Sequence, residues 1–483
     1  MNGGTVETDY LVVGAGAMAM AFVDTLLTES DASVLMTDRR HRPGGHWNDA
    51  YSFVRLHQPS AWYGVASREL STGIKDEVGL NAGMYGLASG AEVLAHFDQV
   101  MQQRFLPSGR VQWLPMSEYS TGPRGERRVT SLTSGEMKQV FVRRKLVDAT
   151  LARTEVPATH PPKYRVAPEV RCVPLNRLPE IARPYAACTV VGSGKTGMDA
   201  CLWLLENGVP PSRIRWVMPR DAWFLDRANF QPGLDRFEHN MRYLANQFDS
   251  LAEAGSVAEL FERLEANGSL MRIDPKVAPT AFRCAVLSRG ELAALQGIRD
   301  IVRLGRVRAV EPGRLVLEQG TLAADADTLY VDCSASAIQI QPDVPIFEAA
   351  RIHLLTIRFC QPLFSAAAIA WVESHVEDLA EKNALCSVVP NPEHPIDWIR
   401  MWQVTLANLA RWRRNPAMGD WLARCRLNAN AVLMRGVDPG DEARMALVRA
   451  NGPKSAAAAA KIPALLAASG HSPKQASTAC LRP

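Results

Sequence analysis

The chain has 483 residues, 47% of them hydrophobic and 22% charged, with a formal net charge of +4. That length suits two or three domains, and the balance is that of a globular chain, which excludes a disordered or membrane-embedded body. The weak positive charge, with no Lys/Arg stripe interleaved with aromatics, excludes a nucleic-acid partner, and no run reaches the ~18 or more apolar residues of a membrane-spanning helix.

The cysteine count is nine, odd and without short Cys-Cys spacings. This argues against a disulfide framework, a zinc site or a CxxC redox pair, so no metal is expected. The N-terminal stretch lacks a basic segment followed by an apolar one, and a reducing cytoplasm is the expected location.

Residues 10–13 are a short apolar run, expected as a buried strand. It turns at once into Gly14-Ala15-Gly16-Ala17-Met18-Ala19 and an apolar helix through Leu27. Gly14 permits the tight turn, Gly16 lets the backbone approach a pyrophosphate, and Ala19 keeps the helix close to the strand, with the positive helix end facing the anion. A second strand, 33–37, ends at Asp38, whose carboxylate suits ribose hydroxyls. The stretch 9–47 is therefore expected to hold an adenine dinucleotide.

Beyond Asp38 come RRHRPGGHW, with Gly45 and Trp47, and YSFVRLHQPSAWYG over 51–64, followed by a glycine-rich loop. Residues 88–105 carry an amphipathic helical pattern. Strands at 111–114, 127–133 and 140–142, with a hairpin turn at Ser134-Gly135-Glu136, are expected to form a small antiparallel meander. A further strand over 144–150 (RKLVDAT) leads into an exit stiffened by Pro157, Pro161 and Pro162, which places a domain boundary near residue 160.

A second strand, glycine turn and helix follow in CTVVGSGKTGMDACLWLLENG, with Gly192, Gly194 and Gly197 in the three fingerprint positions. The next strand, RIRWVM, ends in Pro219-Arg220-Asp221. Where an NAD site places an acid, this one places Arg220, whose guanidinium fits a 2′-phosphate, with Arg213 or Arg215 able to share the task; NADP is expected rather than NAD. Residues 223–270 carry helical spacing, 301–319 alternate as strands, and 327–335 echo the earlier RKLVDAT, since YVDCS matches LVDAT. Past residue 352, a short strand at 385–389 precedes helices in which Trp398, Met401, Trp402, Leu406, Leu409 and Trp412 fall at core spacing. The Ala/Ser/Pro-rich residues 451–483 are expected to be a flexible tail.

The Gly-Gly-x-Trp stretch after Asp38, the segment 51–64 and the second glycine turn resemble the flavin-containing and Baeyer–Villiger-type (class B) flavoprotein monooxygenases, over roughly residues 8–340. The resemblance implies an α/β fold of two dinucleotide-binding, Rossmann-like domains, the second inserted in the first, with a helical C-terminal region. Its division would be 1–160 for the first part of an FAD-binding domain, 161–325 for an NAD(P)-binding domain, 326–365 for the return to the FAD domain, and 366–450 for the helical region ahead of the tail. FAD would occupy the first site, bounded by Gly45, Trp47 and Gln58, and NADP the second. Asp332 would lie near the FAD ribityl chain or pyrophosphate. Arg55 would place a cation beside the flavin and His57 would hydrogen-bond a flavin peroxide. The implied activity is an NADPH-reduced monooxygenase acting through that C4a-peroxide, with a small-molecule substrate and dioxygen as partners and no membrane.

The FxGxxxHxxxY/W segment of those families has no counterpart, since the stretch before the second turn reads EVRCVPLNRLPEIARPYAAC, without His. An FAD-dependent oxidase or dehydrogenase that does not use NADPH, and a non-catalytic flavoprotein, stay open. So does the oligomeric state, self-association included.

Overall fold

In the computed structural model, which describes residues 4–152, 154–335 and 341–469, each glycine turn leaves a central strand of its own sheet. The first sheet sets Val111–Leu114, Val34–Thr37, Thr5–Val13 and Met137–Asp148 side by side in parallel. Met137–Asp148 is long because it serves two neighbours on one edge. Its first half pairs antiparallel with Arg127–Ser131, and its last three residues pair parallel with Arg351–His353. Arg127–Ser131 also pairs with Ser117–Thr121, completing the meander. Gly135, at φ +71, makes its hairpin turn.

The second sheet is wholly parallel, in the order Cys172–Pro174, Thr328–Asp332, Ala187–Val191, Ile214–Val217 and Asp300–Val302. Because Arg351–His353 rejoins the first sheet after all of these, the second unit is inserted in the first. Two smaller sheets attach to it: Leu270–Met271, Ala222–Asp226 and Ala281–Leu287 in one, and Gly320–Ala323, Arg314–Leu317, Val307–Glu311 and Arg165–Val166 in the other.

The helix after the first turn, Ala17–Glu29, packs against Pro362–His375. Leu363 to Val372 are all buried, so this helix has no polar face and hence no helical period for a sequence reading to find. On Pro395–Trp412 the expected core face is observed, with Trp398, Met401, Trp402 and Trp412 buried.

Four expectations are corrected. Residues 223–270 are not helical throughout, because the buried Trp-Phe-Leu run forms the strand Ala222–Asp226 before the helices Phe237–Glu253 and Val257–Ala266. Residues 385–389 form no strand; Leu385 ends the helix Leu379–Leu385, the rest follow it, and Val389 N–H donates to the Thr356 carbonyl. The tail is ordered through residue 468, in the helix Glu442–Ala468 packed on Phe237–Glu253. Its buried face, Asn451, Ser455, Ala458, Ile462 and Leu465, has helical spacing disguised by small and polar residues; residues 470–483 lie outside the described residues. Finally, a disulfide joins Cys284 to Cys360, 76 residues apart, a separation at which spacing carries no signal. No described helix is long and apolar enough to cross a membrane.

The second turn admits a direct test. A Cβ at Gly197 would lie 2.0 Å from the Gly192 carbonyl oxygen, whereas one at Gly194 would meet nothing within 4 Å. Gly197→Ala is expected to destabilise by ~1–3 kcal/mol and Gly194→Ala to stay within about 0.5 kcal/mol of wild type, measured by urea unfolding. Equal effects would contradict this packing.

Candidate functional site

At the first turn, Gly14 holds φ +96 while its N–H donates to the Thr37 carbonyl at 2.8 Å. The next N–H, of Ala15, donates to Asp38 Oδ2 at 2.7 Å, and Arg40 N–H donates to Oδ1 at 2.8 Å. Asp38 thus ties the turn to the end of the second strand from a buried position, with lone pairs left on each oxygen. Gly44 N–H donates to the Ala15 carbonyl, and a Cβ on Gly45 would lie 2.9 Å from Gly16 Cα. The Gly-Gly pair is therefore pressed against the turn, backbone to backbone. Trp47, in the same stretch, is buried and donates its indole N–H to Tyr63 Oη at 2.7 Å. Ala19 is fully buried against the sheet. Gly14, Gly16, Ala19, Asp38, Gly45 and Trp47 are thus brought together around the N-terminus of Ala17–Glu29, where no side chain caps the first-turn N–H groups.

The second turn repeats the construction. Gly192 sits at φ +128, its N–H donates to the Val217 carbonyl, and its own carbonyl accepts from Trp216 Nε1 at 2.8 Å. Gly194 begins the helix Lys195–Glu206, again without a side-chain cap. Ser193 Oγ donates to the Arg220 carbonyl at 3.1 Å, tying this turn to its second strand.

Asp332 is placed here, not at the first site. Its strand pairs with the second glycine strand, Val191 opposite Asp332, and its carboxylate accepts from Tyr164 Oη at 3.1 Å and Ser334 Oγ at 2.7 Å. LVDAT and YVDCS match because each lies beside a glycine strand. Ala149 N–H bonds to Val13 and Cys333 N–H to Val191 in the same way. The return to the first sheet is made later, at Arg351–His353.

Arg220 is also differently employed. Its guanidinium donates to Glu393 Oε1 (3.1 Å), the Glu393 carbonyl (2.9 Å) and the Thr280 carbonyl (2.7 Å), beside His394 Nδ1. Arg215 is likewise engaged, by Asp300 and the Ala323 carbonyl. Next to Arg220 stands Arg283, whose side chain makes no hydrogen bond among the described residues. Burial and the cations Arg220 and Arg306 lower its pKa, against the single carboxylate of Glu393. The sequence offered no sign of Arg283, which lies on a strand far from the glycine turn.

The segment that carries His57 reaches from the first unit to the second. Val286 N–H donates to His57 Nδ1 at 3.3 Å, so the proton of a neutral ring sits on Nε2. Burial, helped by Lys195 and Arg227, pushes His57 down to about 3. Its carbonyl accepts from the fully buried Arg227, whose Nη2 donates to both carboxylate oxygens of Glu291 at 2.8 and 3.0 Å. Six residues earlier, Tyr51 donates its hydroxyl to Asp199, one helical turn past Lys195, and Lys195 binds the same carboxylate. Tyr51, Lys195 and Asp199 were missed by the sequence reading, although Lys195 and Asp199 stand inside GSGKTGMD itself. Gln58 follows His57, half-buried. Arg55 is not brought to these groups. It is exposed, donates to the Leu87 carbonyl at 3.2 Å, and faces Glu92 and Glu206, the latter at the far end of the helix from its glycine turn.

No family model matches the chain. Among solved structures it is similar to cyclohexanone monooxygenase from Rhodococcus sp. Phi1 bound to NADP+ (14% identity, TM-score 0.45, 96% of this chain and 98% of that one). It is also similar to a flavin-containing monooxygenase from Stenotrophomonas maltophilia (15% identity, TM-score 0.44, 79% and 99%). Among curated proteins, it is 48% identical over 430 residues to uncharacterized protein Rv2000 of Mycobacterium tuberculosis and to uncharacterized protein Mb2023 of Mycobacterium bovis, covering 89% of this chain and 79% of each of those. With that identity over most of both lengths, the chain belongs to the family of these mycobacterial proteins.

Proposed function

We propose that the chain is an FAD-dependent oxidoreductase, reduced by NADPH, that oxygenates a small organic substrate with dioxygen. The reading rests on one arrangement: a segment of the first nucleotide unit, Tyr51 to His57, is held against Lys195 and Asp199 at the start of the second unit's helix. Two dinucleotides laid on the two turns would run toward one cleft.

The residues present fit such ligands. Both helix N-termini present uncapped N–H groups, and the space around Gly194 is open. Asp38 keeps lone pairs for ribose hydroxyls, while Arg283 and Arg306 beside Arg220 offer cations for a 2′-phosphate. Flavin bound there would supply hydride acceptance and activation of dioxygen, chemistry that belongs to the cofactor. The protein's share is to orient the rings, exclude water and hold a proton at His57 Nε2. With a pKa of about 3, this imidazole stays neutral and keeps that donor at neutral pH.

One observation favours an alternative. With the Arg220 fork bound to Glu393 and its neighbours, a flavin oxidase or dehydrogenase that does not use NADPH is the second reading, and flavin reduced by substrate but not by NADPH is its signature.

Gly194→Ala is the test of the second site, because its fold is expected to survive. Flavin content should stay at wild-type level while anaerobic reduction by NADPH is lost; unchanged reduction would contradict the assignment. At His57, removal of the side chain by His57→Ala is expected to lower product formation ~10²-fold with flavin reduction retained. Since protonation of His57 belongs near pH 3, wild type should show no ionisation from it at neutral pH. A wild-type inflection near the ordinary histidine pKa that disappears in the variant would contradict the neutral assignment.

A further inference from the structure

Ala281–Leu287 holds His57 through Val286, and it does not run straight. Trp223 pairs with Phe282 but Leu225 with Val286, so residues 283–285 bulge out opposite Phe224 alone. Cys284 is on this bulge at φ +55, a left-handed backbone that a non-glycine residue adopts only under constraint. Its disulfide partner, Cys360, follows Phe359, which stands at φ +26. Of the three non-glycine residues with positive φ among the described residues, two are therefore at this bond.

Both cysteines are half-buried, so the bond borders solvent, whereas five of the six free cysteines among the described residues are buried. The bond also crosses the molecule. It ties the sheet attached to the second unit to the turn before Pro362–His375, the helix packed on the first glycine-turn helix. Arg283 adjoins Cys284, and it feels Arg220, paired with Glu393, and Arg306.

We propose that Cys284–Cys360 is a thiol–disulfide exchange site for small thiols bearing carboxylates. A thiolate attacks one sulfur and forms a mixed disulfide, and the other cysteine leaves as a thiolate and takes up a proton. A second small thiol then resolves the mixed disulfide. In balance, two small thiols are oxidised to their disulfide and the protein disulfide is reduced to two thiols. Strain at the two bends favours opening, and the arginines favour an anionic attacker over a cationic one. Opening frees residues 283–285, and with them the Val286 N–H that orients His57.

The test uses the folded, full-length protein, treated first with oxidised glutathione and then with either reduced glutathione or cysteamine. N-Ethylmaleimide then labels free thiols, and mass spectrometry identifies the labelled peptides. Cys284 and Cys360 are expected to become labelled together under native conditions, with the buried cysteines unlabelled. Glutathione should react about tenfold faster than cysteamine at equal thiolate concentration, a ratio that Arg283→Ala narrows. Hydrogen exchange at Val286 should accelerate on reduction, with that of Thr5–Val13 unchanged. Failure of oxidised glutathione to close the pair, or labelling only after denaturation, would overturn the exchange site. Equal rates for the two thiols would overturn the preference for anionic thiols.

Discussion

Each unit of this protein depends on a strand that must turn into a helix within four residues while its backbone lies against a neighbouring strand. Glycine suits both turns. At Gly192, φ is +128 and a Cβ would stand 2.4 Å from the Cys333 carbonyl oxygen; at Gly14, φ is +96, and the backbone conformation alone favours glycine. The turn so made leaves the helix N-terminus without a side-chain cap, its N–H groups directed at the end of the sheet. An anion there satisfies donors that the fold leaves open.

The contact between the units is built from polar groups that would be costly if unpaired. Arg227 is fully buried, and its guanidinium meets Glu291, the Asn81 side chain and the His57 carbonyl. Tyr51 and Lys195 converge on Asp199 from different units. These contacts fix the orientation of the His57 segment relative to the second helix, the relation on which transfer between two bound rings would depend.

What could be read from the chain alone was what is local. The strand, glycine turn, helix and terminal acid of residues 10–38 lie within one stretch, and each residue's role there follows from its neighbours. The hairpin at Gly135 and the Trp face of Pro395–Trp412 were legible for the same reason. Asp332 was assigned to the wrong site because similar local patterns mark equivalent strands of both units, and only pairing tells them apart. Arg220 occupies the position its spacing implied, but its side chain is claimed by Glu393 and His394, more than 170 residues away in sequence. The disulfide and the unbonded Arg283 were hidden likewise, since both acquire meaning only from distant partners.

The central claim is that two cofactors meet in one cleft of a single chain. An anaerobic titration of the purified protein with NADPH, followed by its visible spectrum, tests it most directly. The account expects one flavin per chain, bleached in full by one equivalent of NADPH. A colourless protein that takes up no added FAD, or a bound flavin left oxidised by excess NADPH, would contradict it.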